Sequence, residues 1–283
     1  MKPILSYYLF LLLFTFSVVK GSCSPDSTNF INFSKIDSAW QYSKGENVKI
    51  AVVDWLFDLS PKGEKKYVFP ASMIAGAEVG SDKPWHGEWM AEIIHLIAPE
   101  AKIIPIRAQP GNGESYEPYL IKAIKYAADM GAAAVTSSMG PVKNSKEFID
   151  AVEYAWRKGT IFIDVHPEYS EKTADGFKWC TRDEYSSKII HPGIVSVPGH
   201  NVKMDSVRDI FTWPYQLEPK YKDGWGYSNA PPIIGGVIAL MKSANPLLTP
   251  DQLKEIIISS ANEIDGFKVL DACAAVKEAI RKR

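Results

Sequence analysis

The chain is poor in cysteine, carries no surplus of charge of either sign and contains no low-complexity tract. Three cysteines in 283 residues, Cys23, Cys180 and Cys273, cannot build the dense disulfide framework of a small secreted scaffold. Their odd number leaves at least one thiol without an intramolecular partner. No Cys-x-x-Cys and no His-Glu-x-x-His occurs, which removes the commonest zinc patterns. Thirty-two Lys and Arg face thirty-three Asp and Glu, a net charge of -1. The basic residues are scattered, so nothing marks an electrostatic footprint for nucleic acid. The turn after the first apolar strand, Asp54-Trp55-Leu56-Phe57-Asp58, lacks the glycines that admit a pyrophosphate, and Gly111-Asn112-Gly113 is only a loop. A nucleotide-binding domain is thereby excluded. No Pro/Gly/Ser-rich linker divides the chain, so a single core is expected.

What is present is the composition of a folded globular protein, 46% hydrophobic and 23% charged. At the N-terminus, Lys2 precedes an apolar run from Ile4 to Val19, followed by Gly21 and Ser22. The run is short for a bilayer span and reads as a secretory signal peptide over residues 1–21. Residues 22–283 then form one exported domain, periplasmic or extracellular. Membrane association is expected only if that segment is retained or Cys23 is lipidated, and Lys20 stands where a lipoprotein signal carries an aliphatic residue. In an oxidising compartment Cys180 and Cys273 can pair, or both serve as small buried hydrophobes.

From residue 48 short apolar runs alternate with helical patterns, the signature of a parallel sheet wrapped by helices. Strands are predicted at Val48–Val53, Lys102–Arg107, Ala132–Ser138, Thr160–Val165 and Gly193–Val197. Helices are predicted at His86–Leu96, Tyr116–Met130, Ser145–Lys158 and from Asp271 to the end, with Gly131 and Gly159 as C-terminal glycines. Pro231–Met241 is apolar on every side and belongs in the core. Thr249-Pro250-Asp251-Gln252 opens another helix with a capping box. Pro167–Ile189 is irregular, and Val207–Gly226 is a long aromatic and Pro-rich connection of the kind that carries function.

In open parallel sheets reactive groups gather beyond the carboxyl ends of the strands, where loops converge and helix N-termini present partial positive charge. That rule selects Asp54, Thr136 to Ser138 and Asp164 to His166. Ser228 lies just ahead of the buried helix, at a helix start suited to an oxyanion, and His86 begins a helix with Gly87 beside it. Each has a plainer structural role available: a carboxylate ending a strand caps a turn, and a Ser before a helix is an N-cap.

Together the segments KIAVVDWLFD, HGEWMAEIIHLIAPEAKIIPIRA and GYSNAPPIIGGVIALMKSANPLLTPDQLKEII resemble the three signature blocks of the subtilases, the subtilisin-like serine peptidases, in the family's chain order Asp, His, Ser. INFSKIDSAWQYSKGENVKIAVVD, VTSSMG and VLDACAAVKEAI are similar to further family segments, so the likeness covers the chain from about Ile31 to the end. It implies an α/β fold with a three-layer, doubly wound, mostly parallel sheet. It also implies an exported serine endopeptidase in which Ser228 is the nucleophile, His86 its base and Asp54 the partner of the imidazole. Ser138, Met139 and Gly140 match the family's substrate-binding strand, where a polypeptide adds as an extra strand. Relatives often bind calcium structurally, but no loop here has an oxygen-ligand pattern to assign, and no other cofactor is expected.

The sequence departs from the family at several points. Gly-Thr-Ser-Met-Ala is here Gly226-Tyr227-Ser228-Asn229-Ala230, His-Gly-Thr-His is His86-Gly87-Glu88-Trp89, and Asp-Thr-Gly is Asp54-Trp55-Leu56. The family's Gly-Asn-Glu, whose Asn donates to the oxyanion, is His166-Pro167-Glu168. Besides the Ser228 N–H, His166 or Asn229 is the expected replacement donor. Asp54 follows the expected signal cut by only 33 residues, so no propeptide is expected. A second reading therefore stands beside the peptidase: an impaired or inactive pseudoenzyme that keeps the cleft for peptide binding or scaffolding.

Overall fold

The computed structural model describes residues 30–60, 67–111, 113–139, 145–165, 227–264 and 267–283, with short strand segments at 195–196, 206–207 and 210–211. Residues 1–29 lie outside the described residues, and with them the predicted signal segment and Cys23. So do residues 166–194, which contain Cys180.

The apolar runs line up as one seven-stranded sheet of β1 (Lys49–Asp54), β2 (Ala71–Ser72), β3 (Lys102–Arg107), β4 (Ala134–Ser137), β5 (Ile161–Val165), β6 (Val195–Ser196) and β7 (Ser206–Val207). Their spatial order is β2-β3-β1-β4-β5-β6-β7. The first five pair in parallel, and β6 and β7 are antiparallel additions at one edge. A small second sheet joins β8 (Ile210–Phe211), β9 (Asn262–Ile264) and β10 (Phe267–Val269). Sequence reading missed β2 and this second sheet, because strands of two or three residues are too short to show an alternation.

The helices are α1 (Phe30–Phe33), α2 (Ile36–Ala39), α3 (His86–Ile97), α4 (Glu117–Asp129), α5 (Lys146–Arg157), α6 (Ala230–Ala244), α7 (Pro250–Ser259) and α8 (Ala272–Arg281). They cover both faces of the sheet, which explains the uninterrupted apolar character of β1. Ile50 and Val52 face a core shared with α3, α6, α7 and α8. Ala51 and Val53 face a second core with α4 and α5. Side chains alternate along a strand, and here both sides are buried. The predicted glycines end α4 and α5 with φ of 70° at Gly131 and 86° at Gly159, a left-handed turn that Gly adopts without penalty. Thr249 closes the predicted capping box with Gln252.

Helix α6 lies unusually deep, with residues 231–241 all buried. Two adjacent glycines permit this. A Cβ on Gly235 would lie 2.6 Å from Thr136 Cγ2 of β4, and one on Gly236 would lie 2.7 Å from Ile97 Cβ of α3. The start of the described chain is pinned to the start of α8. Lys35 Nζ donates to Asp271 at 2.6 Å, and the Ala272 N–H donates to the Ser34 carbonyl at 2.8 Å. Cys273, the second residue of α8, is buried, while its expected partner Cys180 lies outside the described residues. Among the described residues no helix is long and apolar enough to cross a membrane.

Candidate active site

Asp54 is the last residue of β1, the middle one of the five parallel strands. The chain leaving β1 returns through α3 on one face, and the chain leaving β3 returns through α4 on the other, so Asp54 stands where the connections diverge and a crevice opens. Its side chain is 1% exposed, and the carboxylate accepts the Trp55 N–H at 2.7 Å. His86, the first residue of α3, brings Nδ1 to 2.8 Å from Asp54 Oδ2 and 3.0 Å from Oδ1. A carboxylate partner places the proton on Nδ1 and leaves Nε2 as the basic nitrogen. Burial disfavours the imidazolium, but the charge of Asp54 and the hydrogen bond to it outweigh burial. His86 is therefore held above its ordinary value of 6.5.

The chain just beyond β1 holds the first turn of α3 in place. The Glu88 and Trp85 N–H groups donate to the Leu56 carbonyl at 3.1 and 3.4 Å. Gly87 allows the approach, since a Cβ there would lie 2.9 Å from the Phe57 ring. Glu88 is buried at 3% exposure, and its Oε2 accepts both the Asp58 N–H and the Tyr67 hydroxyl at 2.8 Å. Nothing in the sequence marks Glu88 as inward-facing, because a Glu in a first helical turn is ordinarily a solvated residue favoured by the helix dipole.

Ser228 sits in a 3-10 turn, Tyr227–Asn229, that leads directly into α6 and packs against α3. It is half-buried, and its carbonyl accepts the Ser138 hydroxyl at 2.7 Å. Ser138, expected on the substrate strand, thus also fastens the turn that carries Ser228. Asn229 is buried in the same turn. Met139 follows Ser138 beyond β4 and is half-buried. Gly140, His166 and Pro167 lie outside the described residues. The structure therefore brings Asp54 and His86 into direct contact and places the Ser228 turn beside α3. Among the described residues no hydrogen bond joins Ser228 Oγ to His86 Nε2.

Three Trp residues gather around this pair. Trp55 and Trp85 meet edge to face with centroids 5.2 Å apart, and Trp89 lies 6.3 Å from both Trp85 and the His86 ring. Trp85 is 49% exposed and the His86 side chain 25% exposed, so the imidazole reaches solvent beside an aromatic wall. An open groove of about 780 Å³ runs along β2, lined by Asp58, Pro70, Ala71, Glu78 and Asp82. It contains none of the expected site residues. Among the described residues no group of three or more His, Cys, Asp or Glu could hold a metal ion.

Comparison with known proteins adds an independent line. Residues 45–164 and 178–275 match the profile of the subtilase family, Peptidase S8. The chain is 27% identical over 239 residues to the minor extracellular protease Epr of Bacillus subtilis, a match covering 78% of this chain and 36% of that protein. It is 24% identical over 248 residues to thermitase of Thermoactinomyces vulgaris, covering 81% of this chain and 86% of that one. Among solved structures, it superposes on fervidolysin from Fervidobacterium pennivorans with a TM-score of 0.60 at 20% identity, covering 85% of this chain and 44% of that chain.

Proposed function

Because this chain belongs to the subtilase family, we propose that it is a serine endopeptidase that cleaves polypeptides with Ser228, His86 and Asp54. The observation that carries this reading is the Asp54–His86 pair, with the Ser228 turn packed against the helix that bears His86. Ser228 Oγ attacks the scissile carbonyl carbon as His86 Nε2 takes its proton. His86 then delivers that proton to the leaving amine, and water repeats the sequence in reverse to release the acyl group. Asp54 holds the imidazole in the productive tautomer and stabilises the imidazolium.

The oxyanion forms at the start of α6, where the Ser228 N–H and the positive end of a 15-residue helix face it. Loss of one oxyanion donor costs about 10²- to 10³-fold in turnover, so Pro167 in place of the family's Asn implies a slow enzyme unless another group substitutes. His166 or Asn229 fills that role. The substrate adds as an extra strand along Ser138, Met139 and Gly140. The protein is exported, with residues 1–21 as its signal, to the periplasm or the cell exterior.

The second reading, a peptide-binding protein without turnover, draws support from Pro167, which has no side-chain donor for an oxyanion. A fluorophosphonate probe separates the two readings. The peptidase reading expects labelling of the wild type, none of Ser228→Ala, and slower labelling and turnover in His166→Ala or Asn229→Ala. Folded wild-type protein that takes no label leaves the binding reading.

A further inference from the structure

Asp54 is fixed by the sheet, but His86 is only as well placed as the first turn of α3. The two residues are 32 positions apart on separate elements, and a shift of about 1 Å in such a pair costs up to 10²-fold in rate. The helix rests on the sheet and on α6 through close-packed apolar contacts, which fix the body of the helix. Directional bonds at its start add the finer placement of the first turn. Two are backbone bonds to the Leu56 carbonyl. Glu88 supplies the side-chain bonds, and it lies two positions beyond His86.

We propose that Glu88 is a positioning residue, whose buried carboxylate sets the contact between Asp54 and His86 by tying the start of α3 to the chain leaving β1 and to the segment beside β3. One oxygen does both. Through the Asp58 N–H it holds the exit of β1, and through the Tyr67 hydroxyl it reaches a segment anchored on the sheet. Tyr67 bridges to Ile103 of β3, and the next residue, Val68, donates its N–H to the Ile103 carbonyl at 2.9 Å. The Tyr67 ring is wedged edge-on to Phe57, at 6.2 Å and 84°, and stacked on His95, at 6.2 Å and 23°. Burial, with Glu92 and Asp58 nearby, raises Tyr67 well above the usual phenol range, so its hydroxyl keeps its proton and goes on donating.

An apolar side chain would fill this space without the desolvation cost of a carboxylate, and packing alone would favour it. The carboxylate provides two charge-assisted, directional bonds aimed at the two segments that must not move relative to His86. The geometric part of the proposal concerns the Asp54–His86 pair whatever Ser228 does; its effect on turnover rests on the peptidase reading above.

The test compares Glu88→Gln, Glu88→Leu and Tyr67→Phe with the wild type, using the downfield proton resonance of the His86 Nδ1–H and, separately, kcat and KM on a peptide substrate. Gln retains a carbonyl oxygen able to accept both donors, so Glu88→Gln keeps the resonance and stays within about threefold in kcat. Glu88→Leu, checked by circular dichroism to be folded, broadens or loses the resonance and drops kcat by about tenfold or more, with KM within twofold. Tyr67→Phe removes one donor and gives an intermediate shift, which keeps the test open if Glu88→Leu does not fold. An unchanged resonance in folded Glu88→Leu, or in Tyr67→Phe, overturns the proposal, as does Glu88→Gln behaving like Glu88→Leu. Absence of turnover in the wild type counts against the peptidase reading alone, because the resonance reads the pair without it.

Discussion

At His86, burial and a neighbouring carboxylate act in opposite directions on the same proton, and the carboxylate prevails. A base must be neutral to accept a proton, so the peptidase reading expects kcat/KM to rise with pH through an inflection above 6.5, the ordinary value of His. Asp54→Asn removes the charge and the tautomer control together, lowering turnover by about 10⁴-fold and moving that inflection down. Stability follows the opposite direction. The folded value of His86 is raised, so the pair's contribution is fully present below pH 6.5 and is lost as pH rises through the raised value. Urea unfolding of wild type and His86→Ala at pH 5.5 and pH 9 checks this, with the larger difference expected at the lower pH. As candidates, Asp54, His86 and Ser228 were legible in the sequence because each is a polar residue at the edge of an apolar segment, where reactive groups gather in a parallel sheet. Glu88 and the second task of Ser138 were not. Both depend on which way a side chain turns after the elements have packed, and no spacing within one segment records that.

Among the elements, α6 combines a local and a distant duty. Its apolar faces were readable as a core helix, but not the reason for two adjacent glycines, which lies in β4 and α3 rather than in the helix itself. Gly235→Ala resolves which effect dominates. Helix propensity alone favours Ala by roughly 0.5–1 kcal/mol, whereas a Cβ 2.6 Å from the buried, β-branched Thr136 forces a displacement expected to cost about 1–3 kcal/mol. The expected outcome is a net loss of thermal stability, together with slower fluorophosphonate labelling, because α6 carries the Ser228 turn at its N-terminus. A variant with unchanged melting temperature would show that α6 has room to settle. The long parallel strands and helices matched their predicted positions to within three residues, since the strands are buried on both faces and most of the helices on one, and each leaves its period in the sequence. At the edge of the sheet β6 runs antiparallel to β5 and β7 antiparallel to β6, orientations that depend on loops and not on composition.

For the molecule as a whole, the contact between its earliest described residues and its last helix matters beyond its size. Asp271 is 3% exposed. It caps α8 by accepting the Ala274 N–H at 2.8 Å, and it also takes Lys35 Nζ at 2.6 Å and Asn262 Nδ2 at 2.9 Å. Asp271→Ala is expected to lower stability by about 2 kcal/mol, most of it from the lost cap and from the Asn262 amide left without its acceptor, since Lys35 is half-exposed and its ion pair adds little. Chemical denaturation of wild type and variant measures this directly. The link joins residues 236 positions apart. A chain growing from its N-terminus therefore completes β1, α3 and all of α6 before the helix that covers them exists. Contacts of such long range form slowly, and the uncovered apolar face persists while they wait. Completion of this core therefore waits for α8, and the face it covers stays exposed until that helix has emerged and docked.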